Sequence, residues 1–388
     1  MSASDEDGWD VIVVGAGPAG SVSAGLLAAQ GHRVLLCDRS PFPRSKPCGE
    51  SINPGAVREL NELGLLQRVL EKPHRRIYGW RVSGAGAEPF RGRFAEAAGG
   101  IGMSRFVFDS ALLEWALEQG AVARIPEKVV DVLKQDGAVA GVRSAGGDEI
   151  RSRLVIGADG LRSVVVRRLG LIKRQPRLRK LALTAHMRGV GADELGELRI
   201  TKWGCAGIAA VDAESVNVVL VLADEADAAK VGGDAAATFD RLAVSIPALA
   251  EGTRTSDVLA TGPFDFPTRE SVGDGVMLVG DAAGYFDPFT GQGIFRALKG
   301  ARMAAEVADR CLRVSWCTAS ALAPYAAAHH RAFRGGVVLQ HTIEAVTSRP
   351  RLFRAAAGLL AAFPTIADRL ISLTGDQTPR RQLLLGGS

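Results

Sequence analysis

Asp10–Val14 holds four consecutive β-branched residues, the pattern of a strand buried on both faces. Glycines at 15, 17 and 20 break it, and an alanine- and leucine-rich stretch then predicts a helix from about Ala19 to Gln30. Gly31 ends that helix where a left-handed residue is wanted. Arg33–Asp38 predicts the next strand and completes a βαβ unit. Farther on, Phe108–Gln119 predicts a helix with Asp109 as its cap. Lys128–Leu133 and Ala138–Arg143 predict two strands flanking the hairpin dipeptide Asp136-Gly137. Ile150–Ile156 predicts another strand, running into Gly157-Ala158-Asp159-Gly160.

The texture then changes. Leu198–Lys202, Ile208–Val211 and Val216–Leu222 predict successive antiparallel strands, interrupted by a helix near Ala236–Ser245 and resumed at Val258–Phe264. This block reads as a second sheet inserted into the nucleotide fold. Val276–Val279 restores a buried parallel strand, followed by the loop Gly280–Gly293 and a long helix from about Ile294 to Leu312. Pro324 to Leu373 is expected to be mostly alanine-rich helix, and Gly375–Ser388 a mobile end. There is no internal repeat.

Composition narrows the class. The chain has 388 residues, 47% of them hydrophobic and 23% charged, enough for a large core and typical of a globular protein. Its five cysteines are odd in number, widely spaced and without a CxxC pair, which argues against a disulfide framework and a zinc site. The six histidines form no HExxH, so no metal is expected. The amino terminus is acidic where a signal peptide is basic, and the expectation is a cytoplasmic protein without integral membrane association. Net charge is +5, with basic residues gathered at Arg162, Arg167, Arg168, Lys173, Arg174, Arg177, Arg179 and Lys180. That cluster reads as a solvated surface, or as a landing site for NAD(P)H phosphates or for an acidic carrier protein delivering a tethered substrate. No basic run is interleaved with aromatics, so nucleic-acid binding is not expected.

The chemistry starts at Gly15-Ala16-Gly17-Pro18-Ala19-Gly20, directly between strand and helix. Gly15 makes the tight turn, Gly17 admits a pyrophosphate to the backbone, and Gly20 lets helix and strand pack closely. The helix start offers free N–H groups and positive dipole to the phosphates. Asp38, at the end of the second strand, suits a ribose diol, and Arg39 beside it suits either adenine or solvent. FAD and NAD share this fingerprint, which does not choose between them.

Two further motifs bear on that choice. Leu154-Val155-Ile156-Gly157-Ala158-Asp159-Gly160-Leu161-Arg162-Ser163 resembles the "DG" motif of flavoprotein monooxygenases. Val276–Gly284 followed by Pro288-Phe289-Thr290-Gly291-Gln292-Gly293 resembles their "GD" motif. Together the three motifs resemble the FAD superfamily of p-hydroxybenzoate hydroxylase, geranylgeranyl reductases and flavin-dependent halogenases, over the chain to about Leu312. The resemblance implies an α/β fold: a glutathione-reductase-type, Rossmann-like FAD-binding domain with an inserted antiparallel substrate sheet and a C-terminal helical segment. The corresponding division is 1–75, 103–178 and 265–312 for FAD, 76–102 and 179–264 for the substrate sheet, and 313–388 for the helical region. On this reading Asp281 binds a ribityl hydroxyl, and the helix opened by Gly291-Gln292-Gly293-Ile294 faces the flavin N1–C2 edge, where reduced flavin gathers charge. Pro288, Asp159 and Arg105 also reach the cofactor, and Val129 meets adenine through its backbone. With no second GxGxxG, electrons come from NAD(P)H bound transiently or from a separate reductase.

The loop Pro43–Pro54 resembles the geranylgeranyl reductase branch, which carries a cysteine–glycine pair beside the flavin. That places Cys48 and Gly49 near the ring, with Cys48 as a candidate proton donor or an inert thiol. The branch's YxWxFP-type signature is absent from Gly204–Val211, as is the halogenase WxWxIP, and Arg58 stands where a halogenase has its lysine. With each alternative short of a signature, the motifs favour a monooxygenase. It would use O2 and a flavin C4a-hydroperoxide to hydroxylate a small apolar aromatic, quinone-like or polyketide-type substrate. The alternatives are an ene reductase or dehydrogenase, a halogenase, and a non-enzymatic flavin-holding maturation factor. Hydroxylation needs a base, for which His186 on the substrate sheet is the candidate.

Overall fold

The computed structural model describes residues 8–177, 180–223, 234–314 and 317–376; Arg179 and the apolar Leu383–Leu385 lie outside them. The first sheet is built on continuous apolar runs. Trp9–Val14 lies between Val34–Cys37 and Glu149–Gly157, all parallel, with Val276–Leu278 and Val122–Arg124 beyond them on either side. Strands buried on both faces need such sequences: Val11, Ile12, Leu35, Leu36, Val155 and Ile156 are wholly buried. Helices Pro18–Ala29, Arg105–Glu118 and Gly293–Arg313 cover one face, and the hairpin Val129–Gln135 / Ala138–Ser144 joins the other side. Its turn residues Asp136 and Gly137 both have positive φ, as that two-residue turn requires.

The second sheet has eight strands, mostly antiparallel. Its period-two alternation sorts the two faces. From Leu181–Arg188 and Ser215–Leu222, Leu183, Ala185, Met187, Val216, Val218 and Leu220 pack with Phe239 of the helix Ala235–Val244. The other face carries Ala182, Thr184, Val219 and Val221 into a cavity. His186 pairs with Asn217 across this ladder. Gly79–Gly84, paired on both sides, and the edge strand Ala87–Arg93 come from far upstream, within the span 76–102 assigned to this sheet but without a strand pattern of their own in the sequence. A third, three-stranded sheet joins Ser51–Ile52, Gly100–Gly102 and Arg75–Ile77.

The expected helix at Phe108 begins earlier, at Arg105, and Ser104 caps it by accepting the Phe106 N–H. Asp109 is wholly buried and forms an ion pair with Arg105 instead of capping, which the choice of the first acidic residue as cap overlooked. The C-terminal region folds into Ala319–Thr347, Pro350–Ala362 and Pro364–Thr374. The last two lie against the edge strand Ala87–Arg93, where Phe353, Ala357 and Ala367 pack with Val82 and Phe90. Among the described residues, no single helix is long and apolar enough to cross a membrane, and no cluster of metal-binding side chains occurs.

Candidate active site

The glycine turn is shaped by collisions that any side chain would suffer. Gly15 has φ +102, and a Cβ there would lie 2.5 Å from the Ala158 carbonyl oxygen. At Gly20 a Cβ would lie 1.7 Å from the Gly15 oxygen, so strand and helix can only approach through glycine. Gly17 is different: its missing Cβ faces the guanidinium tips of Arg44 and Arg105, at 3.6 and 4.0 Å. The helix start thus opens toward two cations, a fitting cradle for a diphosphate. Arg44 bridges Asp38 and Asp109 at 3.5 Å each, a role its place in the loop sequence did not reveal.

Asp38 ends its strand buried, accepting the Ala16 N–H at 2.8 Å and the Ser40 N–H at 2.9 Å. A carboxylate has further lone pairs for a ribose. Arg39 beside it is exposed, and Val129 starts its strand with its side chain in the core beneath. Asp159 accepts the Val164 N–H at 2.6 Å, at the start of the helix Val164–Arg168; its other oxygen is buried without a partner, and burial raises its pKa.

A cavity of about 390 Å³ begins at this turn. Gly17, Pro18, Ala19, Gly280, Asp281, Gly291, Gly293 and Ile294 line one end. The Asp281 carboxylate takes no hydrogen bond among the described residues and faces this space, as a ribityl partner must. Pro288 opens a short turn before Gly291, whose φ of +67 suits glycine. Gln292 stands apart from its neighbours: its side chain donates to Asp376 at 2.6 Å and so braces the loop against the C-terminal helices. Asp376, half-buried between Gln292 and Asn53, has a carboxyl pKa pushed up to about 7 by desolvation. The open turn and the paired cations fit the diphosphate of an adenine dinucleotide, and the free Asp281 carboxylate fits the ribityl chain that a flavin adds.

The same cavity continues past Cys48, Gly49 and Glu50, along Cys205, Gly207, Val219 and Val221 of the sheet, to Phe353, Leu360 and Ile371 of the C-terminal helices. The aromatics missing from Gly204–Val211 come instead from Trp80, Phe90, Phe264, Tyr285, Phe286 and Phe289. Residues this distant in sequence give no local signal of a shared wall.

A second, polar cavity of about 600 Å³ lies on the other side of Glu50. Lys46, Glu50 and Thr184 line both cavities. Glu50, only 3% exposed, holds φ +52, accepts the Arg105 N–H at 2.7 Å and meets His186 Nε2 at 2.6 Å. That bond, opposed by burial, raises the His186 pKa. The Cys48 thiol lies beside Arg105, and its carbonyl accepts from Asn217 at 2.8 Å. Burial works against the charge of Arg105, yet Asp109 and that thiol hold it firmly protonated. Burial and then Arg105 push the Lys46 pKa down. The Thr184 hydroxyl and Asn217 carbonyl oxygen are buried without partners at this partition. Sequence singled out Cys48 and His186 separately; the fold joins them through Glu50, which carried no role in the linear reading.

Of the basic cluster, Arg174 pairs with Asp265, Lys180 with Asp287 and Glu344, and Arg168 with Asp131, while Arg162 donates to the Gly262 carbonyl. Arg58 pairs with Glu96 and donates to the Asp376 carbonyl, so it is tied into the scaffold.

A family model described as an FAD binding domain matches residues 8–194. A digeranylgeranylglycerophospholipid reductase of Methanopyrus kandleri is 32% identical over 82% of this chain and 84% of its own length. A menaquinone reductase of Mycobacterium tuberculosis is 31% identical over 79% of this chain and 78% of its own. Among solved structures, a flavin-dependent brominase superposes with a TM-score of 0.77 at 24% identity, covering 95% of this chain and 93% of that one. A geranylgeranyl bacteriochlorophyll reductase-like protein of Thermoplasma acidophilum gives 0.70 at 23%, covering 95% and 92%. The last two likenesses concern the fold alone.

Proposed function

Because the chain belongs to the FAD-dependent oxidoreductase family of the geranylgeranyl and menaquinone reductases, we propose that it reduces carbon–carbon double bonds in the apolar chain of a lipid- or quinone-like substrate. The observation that carries this reading is the single cavity running from the glycine turn to the C-terminal helices, apolar along its far half. A long hydrocarbon chain gains about 0.8 kcal/mol for each methylene it buries there. The relatives' names and this shape favour the ene-reductase alternative over the oxygen insertion that the motifs alone suggested.

FAD, when bound, would supply a hydride to one carbon of the double bond. Gly17, Arg44 and Arg105 would hold its diphosphate, Asp38 a ribose, and Asp281 the ribityl chain. The other carbon needs a proton, and the chain offers a route for it. The Cys48 thiol is the proton holder facing the apolar cavity, kept in place by Arg105 and Asn217. Glu50 lines both cavities, meets His186 Nε2 with its carboxylate and donates its backbone N–H to the Cys48 sulfur at 3.4 Å. In this proposal its carboxylate would take a proton from His186, which borders the polar cavity, and return it to the thiol two residues away. The Glu50 hydrogen bond raises the His186 pKa against the effect of burial, which favours the protonated form that a general acid uses. The proposed electron donor is NAD(P)H.

The test is anaerobic. Flavin-loaded enzyme is photoreduced and mixed with a polyprenyl lipid or menaquinone, and products are read by mass spectrometry. Gain of two hydrogens per double bond, with reoxidation of the flavin, is expected. A product that gains one oxygen, formed only in air, would overturn the reading in favour of a monooxygenase.

A further inference from the structure

The two last helices are apolar on two opposite sides. Phe353, Ala357, Leu360, Leu370 and Ile371 face inward and line the cavity. On the outside, Leu352 and Leu359 recur at i and i+7 of Pro350–Ala362, and Ile366 and Leu373 do so in Pro364–Thr374. Phe363 stands between the helices, which meet at 114°. These five side chains are 40 to 52% exposed. A helix apolar all round belongs in a core or against lipid, and here one side has no protein over it among the described residues.

Charge names the occupant. From Ala319 to Thr374 there are six arginines and no lysine, against two acids. Both acids are engaged by other groups of the chain, Glu344 by Lys180 and Asp368 by the Arg93 N–H. Arg351, Arg354 and Arg369 are exposed beside the outer leucines and have no acidic partner among the described residues. A second copy of this chain docked face to face would set these arginines against themselves. The sequence past Asp376 adds Arg380 and Arg381, of the same sign.

We propose that the bent pair Pro350–Thr374 lies on an anionic membrane surface, with Leu352, Leu359, Phe363, Ile366 and Leu373 in the acyl boundary and the arginines among the headgroups. The docking stands on its own; only its consequence, entry of an apolar chain from the bilayer between these helices, rests on the reading above.

The experiment is flotation of the flavin-loaded full chain with phosphatidylcholine vesicles, with and without phosphatidylglycerol, at low and high ionic strength. The chain is expected to float with the anionic vesicles, about tenfold more than with neutral ones, and less at high salt. L359D together with F363D is expected to abolish flotation while flavin content stays at the wild-type level. R351E with R354E is expected to remove the preference for anionic lipid alone. Wild-type protein that stays with neither vesicle overturns the proposal. So does a dimer in solution that the leucine–phenylalanine variant dissolves. Flavin reoxidation by a short, water-soluble isoprenoid reads the reductase separately: its failure beside intact flotation sinks the reaction and leaves the docking.

Discussion

The turn at Gly15–Gly20 and the partition at Cys48, Glu50 and His186 lie at two places along one cavity and are built from different material. The turn works through backbone: absent side chains and a helix start, set by six consecutive residues. The partition works through side chains from three separate segments, with Glu50 held in a left-handed conformation between Cys48 and Arg105. Backbone sites tolerate no added atom, whereas side-chain sites tolerate change in shape but respond to change in charge. The two regions therefore differ in how they fail.

The largest effect is expected at the turn. Gly20→Val puts atoms where even a Cβ meets a carbonyl oxygen at 1.7 Å. Loss of bound flavin and of about 3 kcal/mol or more of stability is expected, beyond ordinary overpacking. The absorbance ratio of flavin to protein and a denaturation curve check it; a yellow, stable variant would break the contrast.

Along the cavity wall, Gly207→Leu meets only ordinary contact, 3.7 Å from Leu198, so the fold accepts it. Its side chain enters the substrate space. Turnover of long-chain substrate is expected to fall about 100-fold, the scale on which misplacement acts, with flavin content unchanged.

Glu50→Gln keeps the shape of the partition and removes its charge. A fall of about 10- to 100-fold in reduction rate is expected. His186 has its pKa raised in the folded protein by Glu50. The stability from this pair is therefore full below the unfolded histidine value and is lost as pH rises through the folded one. Activity that needs protonated His186 has the same basic limb. In Glu50→Gln that limb is expected to move to lower pH, and the deficit in melting temperature to shrink at alkaline pH. A pH–rate profile and melts across the range check both; an unmoved limb separates His186 from the proton route.

Smaller effects sharpen the cofactor side. Arg44→Ala removes one of two cations at Gly17 and leaves Asp38 without its ion pair, so FAD is expected to bind about tenfold more weakly. Arg39→Ala, at an exposed position, is expected to change affinity by less than about threefold. Flavin titration followed by fluorescence compares the two. Equal losses would mean that Arg39 contacts the adenine.

Much was legible from order alone. Continuous apolar runs gave the parallel strands except the short Val122–Arg124, and Asp136-Gly137 gave its hairpin, because those features act between near neighbours. The glycine turn could be read residue by residue for the same reason: its collisions involve atoms a few positions apart or on the adjoining strand. Helix ends were read less well, as at Asp109, where a buried partner outweighed the capping preference.

Only the fold could decide the rest. That Glu50 meets His186, that Trp80, Phe264 and Phe353 wall one cavity with Gly207, and that Gln292 is bound to Asp376 are contacts between segments tens to hundreds of residues apart. Sequence determined the cofactor's backbone cradle because local sterics fix it. The cavity's length, its partition and the outward face of its last wall depend on which distant elements pack together, and no local pattern carries that information.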